Sequence, residues 1–285
     1  MIKSDPQAHR RVMLDLLREI DRICRKHEIS YMLFAGSALG AVRHEGFIPW
    51  DDDLDVILLR EEYERFLALA PAELGEGFFL QKEYSEHWPM FFSKLRKNDT
   101  ACMEKFVPRD RLQHQGIYVD IFPADNLCDF PPFAFLQFIS SKVVIAKSLY
   151  CRGYLTDSLG KKMFMLLCRA LPAAPFRRLA LSRNRGSSRR VHSFFGASRC
   201  FAKSVYPREW FTETEPMPFE GGSYPVSRHF DELLRVLYGD YLTPSSLPER
   251  EVKEHAALVD PENSYENYLD WQAEQKYQVY TRSIR

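Results

Sequence analysis

Asp51, Asp52, Asp53 and Asp55 run without a break into the aliphatic stretch Val56-Ile57-Leu58-Leu59, and the apolar Phe47-Ile48-Pro49-Trp50 precedes them. No other feature restricts the fold as much. A solvated acidic tract is not normally flanked on both sides by residues that seek a core. If a strand begins here, period two sets Asp53 and Asp55 on one face, about 6 to 7 Å apart at Cα, and Leu54, Val56 and Leu58 on the other. Two carboxylates so placed can converge on one hard cation while the opposite face anchors them. Taken alone, Asp51, Asp52 and Asp53 read as a solvated face or a helix N-cap, and it is the apolar flanks that favour a buried site.

Upstream, the apolar residues 31–35 read as a short strand that breaks at Gly36-Ser37. Small residues at such a bend let backbone N–H groups approach an anion, and a short helix expected over 38–42 would aim its positive end at the same place. Gly36 and Ser37 are therefore candidate phosphate contacts, with the Ser37 hydroxyl as a further donor. Arg43, at the end of that helix, is either a bidentate phosphate ligand or an ordinary cationic C-terminal residue, and His44 has no assigned role. Residues 116–123 alternate, with Ile117, Val119 and Ile121 on one face and Tyr118, Asp120 and Phe122 on the other. A carboxylate between aliphatic residues in a strand is costly unless a cation or a donor meets it. Asp120 is thus a third candidate carboxylate, while Asp125 reads as a loop or capping residue.

The segment GSALGAVRHEGFIPWDDDLD at 36–55 resembles the signature of the LicD family of phosphotransferases, a Gly-Gly or Gly-Ser pair followed by LGAxRHxGFIPWDDDxD. FFSKLR at 91–96 is similar to that family's FxKLR, and HQGIYVDIFPAD at 114–125 to its HQGxxIDIFPLD. SVYPREWF, FEGGSYPV, LLRVLYGDYL and His255 keep the family's order, with Ser227 where a proline is expected. The resemblance implies an α+β fold, a nucleotidyltransferase (polymerase-beta-like) mixed sheet flanked by helices, carrying a helical basic insertion. It also implies an acidic triad of Asp53, Asp55 and Asp120 that binds Mg²⁺ (or Mn²⁺), with Asp120 the candidate base. Arg43 becomes a substrate contact beside Gly36 and Ser37. Lys94, otherwise a solvated strand-edge lysine, becomes a candidate phosphate contact. The implied reaction moves a phospho-alcohol, typically phosphocholine from CDP-choline, to a hydroxyl of a cell-surface glycan or its lipid-linked precursor, as in teichoic acid or lipopolysaccharide modification. Trp50, Trp88, Tyr118 and Phe122 are the aromatic faces considered for a choline head.

A chain of 285 residues can bury a full core. With 39 Lys+Arg against 39 Asp+Glu, nothing global argues for nucleic acid, and no nucleic-acid partner is expected. The six cysteines are scattered without zinc spacing, which fits reduced thiols in a cytosolic protein. The first twenty residues are too charged for a signal peptide, and the nearest approach to a membrane span, 130–146, is interrupted by Lys142. The expected location is cytoplasmic, at most peripheral at the inner face of the membrane.

The expected organisation is a catalytic core over 1–128, a helical basic insertion over 129–205 and a completing C-terminal part over 206–285. Amphipathic helices are expected around Val12, Leu16, Ile20 and Ile23 and over 61–70, strands over 78–81 and 91–96, and a helix carrying Phe230, Leu233, Leu234 and Leu237 closed by Gly239. Between Asp157 and Glu209 there is no acidic residue, while Lys161, Lys162, Arg169, Arg177, Arg178, Arg183, Arg185, Arg189, Arg190, Arg199, Lys203 and Arg208 alternate with apolar residues. This block, 161–208, reads either as a peripheral contact with anionic membrane or as a solvated helical insertion. Three other functions are weighed against phospho-alcohol transfer. They are transfer of the nucleotide itself to a small acceptor, glycosyl transfer with Asp53-Leu54-Asp55 as a DxD metal motif, and a non-catalytic glycan- or membrane-binding module. Asp240 and His255 keep no assigned role.

Overall fold

The structure, a computed structural model, describes residues 5–104, 112–154, 156, 158–181, 188–193, 201–243 and 256–274. Arg183, Arg185, Arg199 and His255 of the sequence reading lie outside them. Helix α1 (Pro6–Lys26) starts where the Asp5 carboxylate accepts from the Gln7 N–H, with proline at the first helical position, and ends on Arg25 and Lys26. Its stripe of Met13, Leu16, Leu17, Ile20 and Ile23 is fully buried.

There follow β1 (Met32–Leu33), α2 (Ala35–His44), β2 (Asp55–Leu59), α3 (Arg60–Glu73), β3 (Phe78–Gln81), β4 (Ser93–Lys97), β5 (Ala101–Glu104) and β6 (Tyr118–Asn126). The main sheet runs β1-β2-β6-β4-β3, with β2 and β6 parallel and the other neighbours antiparallel. At its far end β6 also pairs with β7 (Arg190–His192), and β7 with β8 (Val205–Pro207), so the sheet curls. The architecture is mixed α+β, a mixed sheet flanked by helices.

Period two divides the strands between two cores. Leu54, Val56, Leu58, Val119 and Ile121 meet α1 and α3 on one face, whereas Ile57, Leu59, Phe122 and Ala124 meet Trp88, Phe92, Tyr206 and Phe211 on the other. Burial on both faces is what a central parallel pair requires, at about 1.5 to 3 kcal/mol for each large aliphatic or aromatic side chain. Two further pairs flank the sheet: the hairpin of β9 (Thr214–Phe219) and β10 (Gly222–Ser227), and β5 with β11 (Ala256–Asp260). Tyr265, Tyr268 and Trp271 pack under the second pair, as their spacing predicts.

The expected Gly-Ser turn is placed differently. The strand before it is only Met32–Leu33, Phe34 caps α2 with extended backbone, and Gly36 and Ser37 lie inside the first helical turn. The reason is local: the Phe34 carbonyl accepts from the N–H groups of Ser37 (3.0 Å) and Ala38 (3.2 Å), so the helix starts at once. Ala35 makes the bend at a φ of 47°, in the left-handed region.

Helices α4 (Pro131–Arg152), α5 (Leu159–Ala170) and α6 (Ala173–Ala180) form a helical segment after β6. α4 joins it to the rest, since Leu149 reaches the second core. The short α7 (Glu209–Thr212) and then α8 (Phe230–Tyr238), stopped by Gly239, follow β8 and the hairpin respectively. Among the described residues the cysteines are free thiols.

Candidate active site

Strand register assembles the site. Asp55 on β2 is the direct neighbour of Asp120 on β6, and Asp120 is the direct neighbour of Lys94 on β4. The three side chains form a row across adjacent strands, about 5 Å from one strand to the next. Asp53 precedes Asp55, and Gly36, Asp51, Asp53 and Asp55 line a cleft of about 190 Å³ together with Leu39, Ile48 and Tyr238. A larger cavity of about 530 Å³ lies between the end of α1 and the β9–β10 hairpin. Its Asp21 is already engaged by Arg25 and by the Tyr31 hydroxyl.

The first turn of α2 is fastened to the start of β2. The Asp55 N–H donates to the Ser37 hydroxyl oxygen at 2.8 Å, and the Phe34 N–H donates to the Asp55 carbonyl at 3.0 Å. The Asp120 N–H donates to the Leu54 carbonyl at 2.9 Å, which locks the third acid into the same frame. Ser37 is buried behind the cleft, so its hydroxyl orients Asp55 in addition to any donation of its own proton. Gly36 lies close against the cleft acids: a Cβ there would stand 2.6 Å from Asp51 Oδ2 and would displace that carboxylate.

Charge at this edge of the sheet is unbalanced. Burial first, then Asp53, Asp120 and Asp51, push the Asp55 carboxyl well above the usual range, and Lys94 only partly opposes them. Lys94 is not the solvated edge residue of one sequence reading. It is buried, its Nζ lies 2.9 Å from Asp120 Oδ1 and 3.6 Å from Glu104 Oε1, and the Tyr118 ring centroid is 3.1 Å away. Its contact with Asp120 is an ion pair rather than an aligned hydrogen bond. Burial lowers its pKa to about 7, with Asp120 acting the other way. Arg152, in the last turn of α4, pairs with the same Glu104.

Other sequence candidates are placed away from the cleft wall. The Arg43 guanidinium donates to the Tyr241 carbonyl at 2.8 Å and lies 5.9 Å over the Trp50 ring, and Arg43 is not among the cleft-lining residues. Asp125 is not in a loop. It sits in β6, buried, and accepts from Arg60 Nε at 2.7 Å and Nη2 at 3.2 Å. Trp88, Tyr118 and Phe122 are buried in the cores and offer no face to a choline head. Trp50 is half-buried and lines a separate cavity of about 140 Å³ with Arg10, Asp51 and Asp52. Tyr238 was missed: its ring is exposed at the cleft, and burial of its hydroxyl beside Asp55, Asp51 and Asp53 raises its pKa. The YGDY segment that contains it was the available signal.

Carboxylate oxygens suit a hard divalent ion, and the excess negative charge around Asp55 is what such an ion relieves. Among the described residues no three His, Cys, Asp or Glu side chains already converge as a ligand set.

The elements from β1 to β6 fall within residues 28–131, which match the family described as LicD/FKTN/FKRP, nucleotidyltransferase domain. The chain carries a LicD family domain. Over 262 residues, 86% of this chain and 93% of the relative, it is 28% identical to the lipopolysaccharide cholinephosphotransferase LicD of Haemophilus influenzae. It is also 29% identical over 107 residues to the ribitol 5-phosphate transferase FKRP of mouse, covering 30% of this chain and 22% of that protein. The LicD domain thus contains Gly36, Asp53, Asp55, Lys94 and Asp120, and Tyr238 lies beyond it.

Proposed function

We propose that this protein transfers a phospho-alcohol, phosphocholine in the first instance, from a CDP-alcohol to a hydroxyl of a glycan or its lipid-linked precursor, on a nucleotidyltransferase-type fold. The supporting observation is a cleft lined by Gly36 of α2 with Asp51, Asp53 and Asp55, behind which Asp120 is the register neighbour of Asp55, inside the LicD domain. The two named relatives carry different phospho-alcohols, phosphocholine and ribitol 5-phosphate, so what they share with this chain is read as the transfer chemistry and not the choice of alcohol.

Asp53, Asp55 and Asp120 would hold Mg²⁺ (or Mn²⁺), which when bound neutralises phosphate charge and acidifies a coordinated hydroxyl. The chain's own groups do the rest. The first turn of α2, open at Gly36, receives the donor phosphates on its positive end. Asp120 takes the proton of the acceptor hydroxyl as the new oxygen–phosphorus bond forms and the bond to CMP breaks. Lys94, with Nζ 2.9 Å from Asp120 Oδ1, holds that carboxylate in position for the task. Tyr238 presents the exposed aromatic face that a cationic choline head or a cytosine ring would stack upon.

Incubation with Mg²⁺, a panel of CDP-alcohols and an added glycan tests the reading. Glycan-dependent CMP release, with phosphocholine recovered on the glycan by mass spectrometry, is the expected result. Pyrophosphate release from CTP would replace it with nucleotide transfer, and release of sugar from a nucleotide-sugar would replace it with glycosyl transfer. Loss of turnover in a chelator, restored by Mg²⁺, tests the metal.

A further inference from the structure

Helix α4 buries Ala134, Phe138, Val143 and Val144, yet also turns large apolar side chains to the surface while polar ones are buried. Phe133, Phe135, Leu136 and Ile139 in its first half are 55%, 53%, 41% and 43% exposed, whereas Gln137, Ser140, Ser141 and Ser148 are buried. The buried polar groups are satisfied: Gln137 accepts from the Cys128 N–H at 2.7 Å and donates to the Ala180 carbonyl at 3.2 Å, and the Ser141 hydroxyl donates to the Phe138 carbonyl at 2.8 Å. A helix in water would be stabilised by the reverse arrangement.

Helix α5 repeats the pattern. It buries Met165 and Cys168 against α4 and leaves Leu159, Met163, Leu166 and Leu167 from 56% to 71% exposed. At about 100° per residue these four fall on one side of the helix, with Lys162 and Arg169 together along one edge of the stripe. Both cations are exposed, and no acidic residue occurs in sequence between Asp157 and Glu209. An exposed apolar stripe edged by cations is the arrangement of a helix lying in a lipid interface.

We infer that the first half of α4 and the outer face of α5 dock on a bilayer with anionic headgroups. The apolar ridge is the part that enters, and Lys162 and Arg169 supply attraction. This moves the membrane contact from the basic block read in the sequence to a surface that begins before it. Charge selects the occupant. A second copy would bring the same cations against these, whereas an anionic surface complements them. α4 is long and apolar enough to cross a bilayer by composition, but half of its apolar window is buried in the protein, so it lies on the surface rather than spanning. The inference does not rest on the reaction proposed above. It gives α4 a second property, because the helix of about 33 Å ends at Arg152, whose partner Glu104 also meets Lys94.

Flotation of the full chain with vesicles of phosphatidylcholine, with and without phosphatidylglycerol, is the test. Binding to the phosphatidylglycerol vesicles, weakened by salt, is expected. Phe133→Ser with Leu136→Ser, or Leu166→Ser with Leu167→Ser, should lower partitioning about tenfold or more, and Lys162→Glu with Arg169→Glu should do the same on anionic vesicles only. All are exposed positions, so circular dichroism and melting should match the unaltered chain. CMP release in the presence of a soluble glycan fragment should also be unchanged, which separates failure of docking from failure of the enzymatic reading. Absence of vesicle binding, equal binding by the variants, or a dimer in light scattering that the same substitutions dissolve would each overturn the inference.

Discussion

The parallel strands β2 and β6 carry an ionic cluster at each end, and the two clusters are built to opposite plans. At the far end Arg60 meets Asp125 through Nε and Nη2 and Glu83 through Nη1 at 2.7 Å, and its guanidinium lies 4.8 Å from the Tyr63 ring centroid. A planar fork engages two acids from a single buried residue, Asp125 through two nitrogens and Glu83 through one. At the near end Asp55 feels Asp53, Asp120 and Asp51 together, and Lys94, a point charge that serves Asp120 and Glu104, opposes them only in part. The first cluster is closed and holds the sheet. The second is left with negative charge in surplus at a cleft, which costs stability and is retained where a cation or a phosphoryl group is handled.

Asp55→Asn tests this contrast most sharply. Glycan-dependent CMP release should fall by about a thousandfold or more, because a ligand charge is lost where it counts. The melting temperature should stay or rise, since the side chain keeps its shape and the Asp53 and Asp120 repulsion is relieved. Retained turnover with a lower melting temperature would make the near cluster structural like the far one.

Arg60→Met should do the reverse. It strands Asp125 and Glu83 in the interior, a loss of about 3 to 5 kcal/mol, or a fall in melting temperature of roughly 10 °C. Adding Asp125→Asn and Glu83→Gln should recover part of it, as read by denaturant midpoints. A small loss from Arg60→Met alone would remove the distinction between the clusters.

What could be read beforehand follows the reach of each signal. The alternation in β2 and β6 is local and foretold the sheet faces, whereas the grouping of Asp120 with Asp55, now seen as register neighbours, came from the family resemblance. The pairing of Asp125 with Arg60 spans 65 residues and leaves no local trace, so Asp125 resembled a loop residue. Lys94 gave no sign of burial because the rings around it come partly from the loop before β4, Trp88 and Phe92, and partly from Tyr118 on β6, which only the sheet register brings over it. β9 was missed because Pro216 and Pro218 argue against a strand, and they are tolerated only because the hairpin is a two-stranded ribbon. The apolar run that becomes α4 was legible but its orientation was not, since polarity alone puts serine outward.

Ser37→Ala asks whether the near cluster is held in place by neutral hydrogen bonds in lieu of ion pairs. It removes the acceptor of the buried Asp55 N–H, at a cost of about 1 to 3 kcal/mol. CMP release should drop about tenfold, more than melting alone explains, and Ser37→Thr should restore part of it. Equal losses in Ser37→Ala and Ser37→Thr would show that small volume, and not the hydroxyl, is what position 37 supplies.

His114 extends the contrast to a group that is buried and neutral. Its Nδ1 accepts from the Gly116 N–H at 3.0 Å, Nε2 faces Asn98 Oδ1 at 3.1 Å, and the ring stacks on Phe79. Protonating Nδ1 would cost the Gly116 bond, and burial, with Arg96 adding to it, lowers the pKa to about 3. The unfolded chain, with a histidine pKa near 6.5, takes up the proton first, so this residue's contribution to stability is complete above about pH 6.5 and is lost as pH falls towards 3. His114→Gln cannot titrate. The stability difference between the two proteins should therefore shrink by about 1 kcal/mol between roughly pH 7 and 5.5, measured by chemical denaturation. A difference that stays constant would mean the imidazole takes its proton without unfolding, so that this end of β6 is as open to charge as the cleft.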